Sequence, residues 1–238
     1  MKYVNFIFFL LISLNAFVFD ATAQVKMTNK IKIHHIEKDF SIDEFNNEFW
    51  TTAKDVSVEK YWSGKIAPNG RHFKAKLLWS DTALYVRFEA NQAEPLIINK
   101  NPNLTEKTDK LWNNDVCEIF IAPNPKEFRK YFEFEVAPTG EWIDLAVHQM
   151  PHKRETYSEY NSGMQTAAKI EDNKVWMAFK VEWKAFGKTP KVGDIWKGNI
   201  FRCIGNGETR GYLSWQGTNT KTPNFHVPEK FGEFKFVE

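Results

Sequence analysis

An all-β chain, folded as an antiparallel β-sandwich with short helical turns, is the fold class this sequence predicts. Three observations predict it: apolar and polar residues alternate along several runs, turn signals separate those runs, and long helical patterns are scarce. The clearest alternations set Leu84, Val86, Phe88 and Ala90 against Tyr85, Arg87 and Glu89, and Phe132, Phe134 and Val136 against Tyr131, Glu133 and Glu135. A third sets Val175, Met177, Phe179, Val181 and Trp183 against Trp176, Lys180 and Glu182. A period of two sends successive side chains to opposite faces, so each run offers one face to a core and the other to solvent or a ligand.

The chain opens on a segment that reads as an export signal. Lys2 supplies a positive start, Phe6 to Leu14 an apolar stretch, and Ala21-Thr22-Ala23 a small-x-small cleavage site. The apolar stretch is short, and Asn5, Ser13 and Asn15 interrupt or flank it, whereas a membrane span needs about 20 apolar residues. The expectation is removal of residues 1–23 near Ala23 and a secreted or periplasmic protein with no membrane span in its mature chain. Residues 24–40 then read as a lead-in and 41–238 as one domain. Short helical turns fit Asp43–Ala53 and Glu182–Phe186, and further strands fit Phe73–Trp79, Val116–Ile121, Trp142–Val147, Ile200–Ile204, Tyr212–Trp215 and Phe234–Val237. Turns fall at Ser80-Asp81, Pro138-Thr139-Gly140, Asp172-Asn173 and Gly205-Asn206-Gly207. The polar stretches 91–110 and 151–163 read as rim loops.

Composition narrows the function classes. The whole chain has 32 Lys and Arg against 30 Asp and Glu, a net charge of +2 that the mature chain keeps, which argues against a nucleic-acid binder. A hydrophobic content of 42% suits a packed core, and nine Trp exceed what one sandwich core requires. Cys117 and Cys203 either bridge across a long loop or stand as small buried hydrophobes. Neither has a His or a second Cys at ligand spacing, which disfavours zinc and thiol catalysis. Adjacent His34 and His35 point to opposite faces of a strand, and Pro151 separates His148 from His152, so haem ligation is disfavoured too.

The most informative decapeptide runs from Trp112 to Ile121. Within it Cys117, Ile119 and Ile121 suit the space between two sheets, which carries Glu118 to the outer face beside Val116 and Phe120. Trp112, just ahead of the strand, is placed to hold its ring over that face. An indole plate beside a carboxylate is what a pyranose requires: the ring covers the sugar's C–H face, and the carboxylate accepts hydroxyl hydrogens. A glycoside hydrolase is the rival reading, because Glu133 or Glu135 on a neighbouring strand can approach the separation that paired catalytic carboxyls need.

These residues resemble carbohydrate-binding module family 9. The resemblance spans about residues 41–236 and runs through five ordered pieces: Ile42-Asp43-Glu44 to Trp50 and Ala53, Leu77 to Val86, Trp112 to Phe120, Trp183 to Arg202, and Trp215 to Gly232. It implies a β-sandwich of the DOMON-like, immunoglobulin-like jelly-roll type that binds sugars without catalysis, in proteins associated with polysaccharide breakdown and with glycoside hydrolases. The family's site places a ligand between two tryptophans, with a carboxylate, an arginine and an amide. By its six-residue spacing the resemblance assigns Trp112 and Glu118. Trp215, Phe225 or His226 supplies the second aromatic group and Asn224 the amide. Arg202, opposite Phe201 and Cys203 and hence outward, or Arg87, supplies the guanidinium. Glu133 shares the cleft-facing side of its strand with Tyr131. The resemblance also admits calcium, with Asp43, Asp81 and Asp144 as unassigned candidates.

Overall fold

The computed structural model describes residues 29–238, so the expected signal sequence and residues 24–28 of the lead-in lie outside the described residues. Among the described residues thirteen strands follow in chain order: β1 (Lys30–His35), β2 (Val56–Val58), β3 (Phe73–Trp79), β4 (Ala83–Asn91), β5 (Val116–Ala122), β6 (Lys130–Val136) and β7 (Trp142–Gln149), then β8 (Arg154–Tyr157), β9 (Gln165–Glu171), β10 (Lys174–Glu182), β11 (Ile195–Ile204), β12 (Gly211–Ser214) and β13 (Gly232–Val237). The helical elements are single 3₁₀ turns, including Glu48–Thr51 and Trp183–Phe186, inside the two stretches expected to be helical. No helix among the described residues is long and apolar enough to cross a membrane.

The strands join in the order β8-β7-β6-β5-β11-β13-β1-β3-β4-β10-β9, with β12 added on β11 and β2 on β3. The sheet curls so that its two ends face each other as the halves of a sandwich. Phe134 of β6 and Phe179 of β10 meet across the interior with ring centroids 5.7 Å apart. Trp79, Trp183, Trp196 and Phe236 interlock edge to face in the same core, in the T-shaped geometry that ring quadrupoles favour.

One strand departs from antiparallel order. β1 lies parallel to both β13 and β3, pairing Ile31 with Phe234 and His34 with Leu78. It falls inside the stretch read as a lead-in, although Ile31 and Ile33 alternate with Lys30, Lys32 and His34 as in any half-buried strand. The stretch read as a rim loop before Gly163 also contains a strand, β8, at one edge of the sheet.

All seven residues of β5 are buried. Cys117, Ile119 and Ile121 enter the inter-sheet core. Val116, Phe120 and Ala122 join a second apolar cluster on the outer face with Tyr131, Leu145, Phe201, Cys203, Phe225 and Phe231. A strand apolar on both sides needs cover on both. The C-terminal segment around Phe225–Phe231 packs over this outer face and leaves a cleft beside it.

Candidate functional site: a carboxyl-floored cleft

Strands β5, β6 and β11 form the floor of a cleft of about 640 Å³ on that outer face. Trp112, Arg210 and Tyr212 stand on one side, Asn224, Phe225 and His226 on another, and Arg154 with Thr156 comes from β8. Glu118 and Glu133 line it from below. The period of two accounts for the placement: Glu118 shares a face with Val116 and Phe120, and Glu133 shares one with Tyr131.

The floor is an unusual concentration of acid. Glu118 pairs directly with Glu135 across β5 and β6, while Glu133 sits opposite Phe120. One oxygen from each of Glu118, Glu133 and Glu135 lies within 4.8 Å of the others. The Cys203 thiol donates to Glu118 Oε1 at 3.2 Å. Among the described residues, no other side chain or backbone group donates to either oxygen of Glu135 or to Oε2 of Glu133; a proton shared between these two carboxyls pairs them. Burial, reinforced by the Glu133 charge, pushes Glu118 up to about 8, and burial pushes Glu133 up to about 7. Glu135 is raised well above the ordinary carboxylate range by burial and by its two acidic neighbours. Burial and the positive charge of Arg154 lower His226 to about 3, so its ring is neutral where it bonds Tyr131 Oη at 2.7 Å.

Trp112 sits in the 3₁₀ turn Leu111–Asn113, which Lys110 enters with a left-handed φ of 56°. Leu111 is buried and anchors the turn, whereas the Trp112 side chain reaches the surface and is 37% exposed. Arg210 holds the turn from the same side of the cleft. Its guanidinium donates to the carbonyl of Trp112, to Asn114 O at 3.1 Å and to Gly205 O at 2.8 Å, and lies over the Tyr212 ring. Asp115 ties the same region down by accepting from Gly205 N at 2.7 Å and Ile97 N at 3.2 Å.

Of the residues singled out in the sequence, the cleft brings together Trp112, Glu118, Glu133, Asn224, Phe225 and His226. Phe225 stacks on Phe201 at 4.1 Å, and the His226 ring lies 5.1 Å from Phe120, so both rings serve as wall. Arg202 is not in the cleft. Its β11 neighbours Ile200 and Ile204 point between the sheets, and Arg202 points with them, donating to Arg71 O at 2.9 Å, Asn91 O at 2.7 Å and Gln92 Oε1 at 2.5 Å. The outward placement expected for Arg202 fails because both faces of β11 are apolar, and Phe201 and Cys203 belong to the outer, cleft-side cluster. Arg87 lies on the outer face of the other half, between the rings of Trp50 and Trp176. Trp215 is also outside: its ring stacks on Phe234 and rests on Gly232, where an added Cβ would come within 2.4 Å of it.

Arg210 and Arg154 are the charged cleft residues that sequence reasoning passed over. Arg210 directly follows the turn opened by Gly205-Asn206-Gly207, a signal that was available; Arg154 lay in a stretch read as loop. The acidic calcium candidates do not converge. Asp144 is ion-paired to Lys107 at 2.6 Å and accepts from Ser162 N, Asp81 pairs with His35, and Asp43 lines a separate surface pocket. Cys117 and Cys203 are free and buried on opposite faces of the sheet.

The chain matches the carbohydrate family 9 binding domain-like family over residues 42–238. It is 23% identical over 197 residues to endo-1,4-beta-xylanase A of Thermotoga maritima, and 22% identical to its counterpart in Thermotoga neapolitana. Each match covers 83% of this chain but only 17% of the xylanase. Among solved structures it resembles a candidate carbohydrate-binding protein from Bacteroides uniformis, with a TM-score of 0.70 and 15% identity over 87% of this chain and 98% of that one. It also resembles a family 9 carbohydrate binding module from Caldicellulosiruptor kristjanssonii in complex with cellotriose, with a TM-score of 0.62 and 18% identity over 87% and 93% of the two chains.

Proposed function

Because this chain belongs to the carbohydrate family 9 binding domain-like family, we propose that the cleft binds a saccharide without catalysis, stacking a sugar ring on Trp112 while Glu118 accepts hydroxyl hydrogens. The observation that carries this reading is the position of Trp112, an indole open to solvent at the mouth of a cleft whose floor offers buried carboxyl groups. The flat ring supplies apolar area to C–H groups, and acceptors in a low-dielectric floor fix the hydroxyls that face them. The complexes of the Caldicellulosiruptor module with cellotriose and with glucose support a glucose-containing ligand.

A hydrolytic reading is weaker on geometry. Glycosidase carboxyls flank the scissile bond from two sides. Here Glu118, Glu133 and Glu135 project side by side from one sheet face, with an oxygen of each within 4.8 Å of the others. The xylanase relatives support a role beside polysaccharide-degrading enzymes, with a glycoside hydrolase as a partner, and residues 1–23 support export to the periplasm or the medium. N-terminal sequencing of the exported protein tests the latter, with a start near residue 24 expected.

The direct test is calorimetry with glucose, cello-oligosaccharides and xylo-oligosaccharides. Trp112→Ala is expected to weaken binding by about 2–4 kcal/mol, as for a buried aromatic anchor, with an unchanged circular dichroism spectrum. Wild-type protein that gives no heat with any saccharide would overturn the reading.

A further inference from the structure

The period of two that sets Glu133 in the cleft continues to the edge of the sheet. Tyr131 of β6 stands opposite Val147 of β7, and Val147 stands opposite Thr156 of β8. Tyr131 and Val147 belong to the outer-face cluster, so Thr156 points to that face, and so does Arg154 two residues before it. Both line the cleft. The charge of Arg154 acts on Glu133 of the floor and on His226 of the wall.

Every other arginine of the chain has a fixed acceptor. Arg71 is forked onto Glu94 at 2.6 and 2.8 Å, Arg129 pairs with Glu229 at 2.6 Å, and Arg87 donates to Phe45 O. Arg202 and Arg210 are held by carbonyl oxygens. The Arg154 side chain has no hydrogen bond or ion pair among the described residues. Its strand neighbour Glu155 is taken by Lys153 at 2.6 Å and by Tyr157 at 2.7 Å. A guanidinium carries five N–H donors in a planar fork, which a carboxylate matches with two parallel bonds. Here that fork opens into a cleft, and the protein supplies no carboxylate to meet it.

Trp112 lies just ahead of β5, and β8 is three strands further along the sheet, about 14 Å at the usual strand spacing. That span suits linked sugar units better than one ring. Resting on the saccharide reading above, we propose that the cleft selects an acidic oligosaccharide. One unit stacks on Trp112, and a neighbouring unit carries a uronic carboxylate that accepts two parallel hydrogen bonds from Arg154 and one from the Thr156 hydroxyl. A neutral C6 hydroxymethyl group would offer the fork a single oxygen and leave its charge unmatched. The floor tolerates an anion above it, because burial favours the protonated forms of Glu118 and Glu133.

Calorimetry at about pH 6, where an ordinary carboxyl group is ionised, tests the proposal. The probes are cellotriose, two acids made from it by oxidising C6 of one terminal unit or the other, and the methyl esters of those acids. The two acids sample both directions of the chain in the cleft. One acid is expected to bind wild-type protein roughly tenfold more tightly than cellotriose or its own ester. The ester reads the charge without any variant. Arg154→Gln should bring acid, ester and cellotriose within about threefold of one another, and Arg154→Lys should keep part of the preference, having the charge without the fork. Equal binding of acids, esters and cellotriose by wild-type protein would overturn the uronate assignment and leave the saccharide reading standing. A preference for the acid that survives in Arg154→Gln would overturn the role of Arg154. Absence of binding by every probe would overturn both readings.

Discussion

Glu118 is a carboxyl that the folded protein prefers to keep protonated, and that preference has a sign in pH. Its folded value near 8, and that of Glu133 near 7, lie above the ordinary value of 4.5. Raised carboxyls contribute stability that is fully present below the unfolded value and lost as pH rises through the folded one. Thermal melts are therefore expected to show this contribution falling between about pH 4.5 and 8, by a few kcal/mol in all. Glu118→Gln should flatten the profile; an equal loss of stability in the variant would refute the assignment. The two cysteines behave in a related way. Burial pushes the Cys117 thiol up to about 12 and Cys203 well above its ordinary value, so neither should react with a thiol reagent until the protein is denatured. At this scale the sequence was legible where a residue's chemistry is unusual for its place: an acid within an apolar strand marked Glu118, and an indole just before it marked Trp112. It was not legible for Arg202, because alternation separates the two faces of β11 without saying which is the core when both are apolar.

The turn that carries Trp112 is held from outside itself, chiefly by Arg210. A lysine there would keep the charge but lose the forked donor geometry. Arg210→Lys is expected to weaken saccharide binding about tenfold without lowering the melting temperature by more than a few degrees, measured by calorimetry and thermal melts. The segment entering β13 shows the opposite dependence, since Gly232 exists as space for the Trp215 ring. Gly232→Ala is expected to destabilise the fold by roughly 1–3 kcal/mol in denaturant titration, the usual cost of overpacking. The regular strands were readable from their alternation, and so were the 3₁₀ turns near Trp50 and Trp183. The short edge strand β8 was hidden because Arg154–Tyr157 has little apolar content, and its pairing with β7 decides what local pattern could not.

Across the whole molecule, β1 joins the two halves of the sandwich. It fills the place between β13 and β3 and buries Ile31 and Ile33 in the shared core. Ile33→Ala should cost about 2–5 kcal/mol, as other core truncations do, and denaturant titration measures it. The sandwich class was plain from the spacing of strands and turns. The parallel insertion of β1 was not, because a six-residue run carries its alternation but not the identity of its neighbours. The cleft, meanwhile, draws its sides from residues 112 to 226, and Pro223–His226 are the last of them to be made. A nascent polypeptide halted before that segment could complete the acidic floor yet would have only half an enclosure. Ligand capture should accordingly begin abruptly once that segment has been made, and fragments truncated before it should be inert rather than weak.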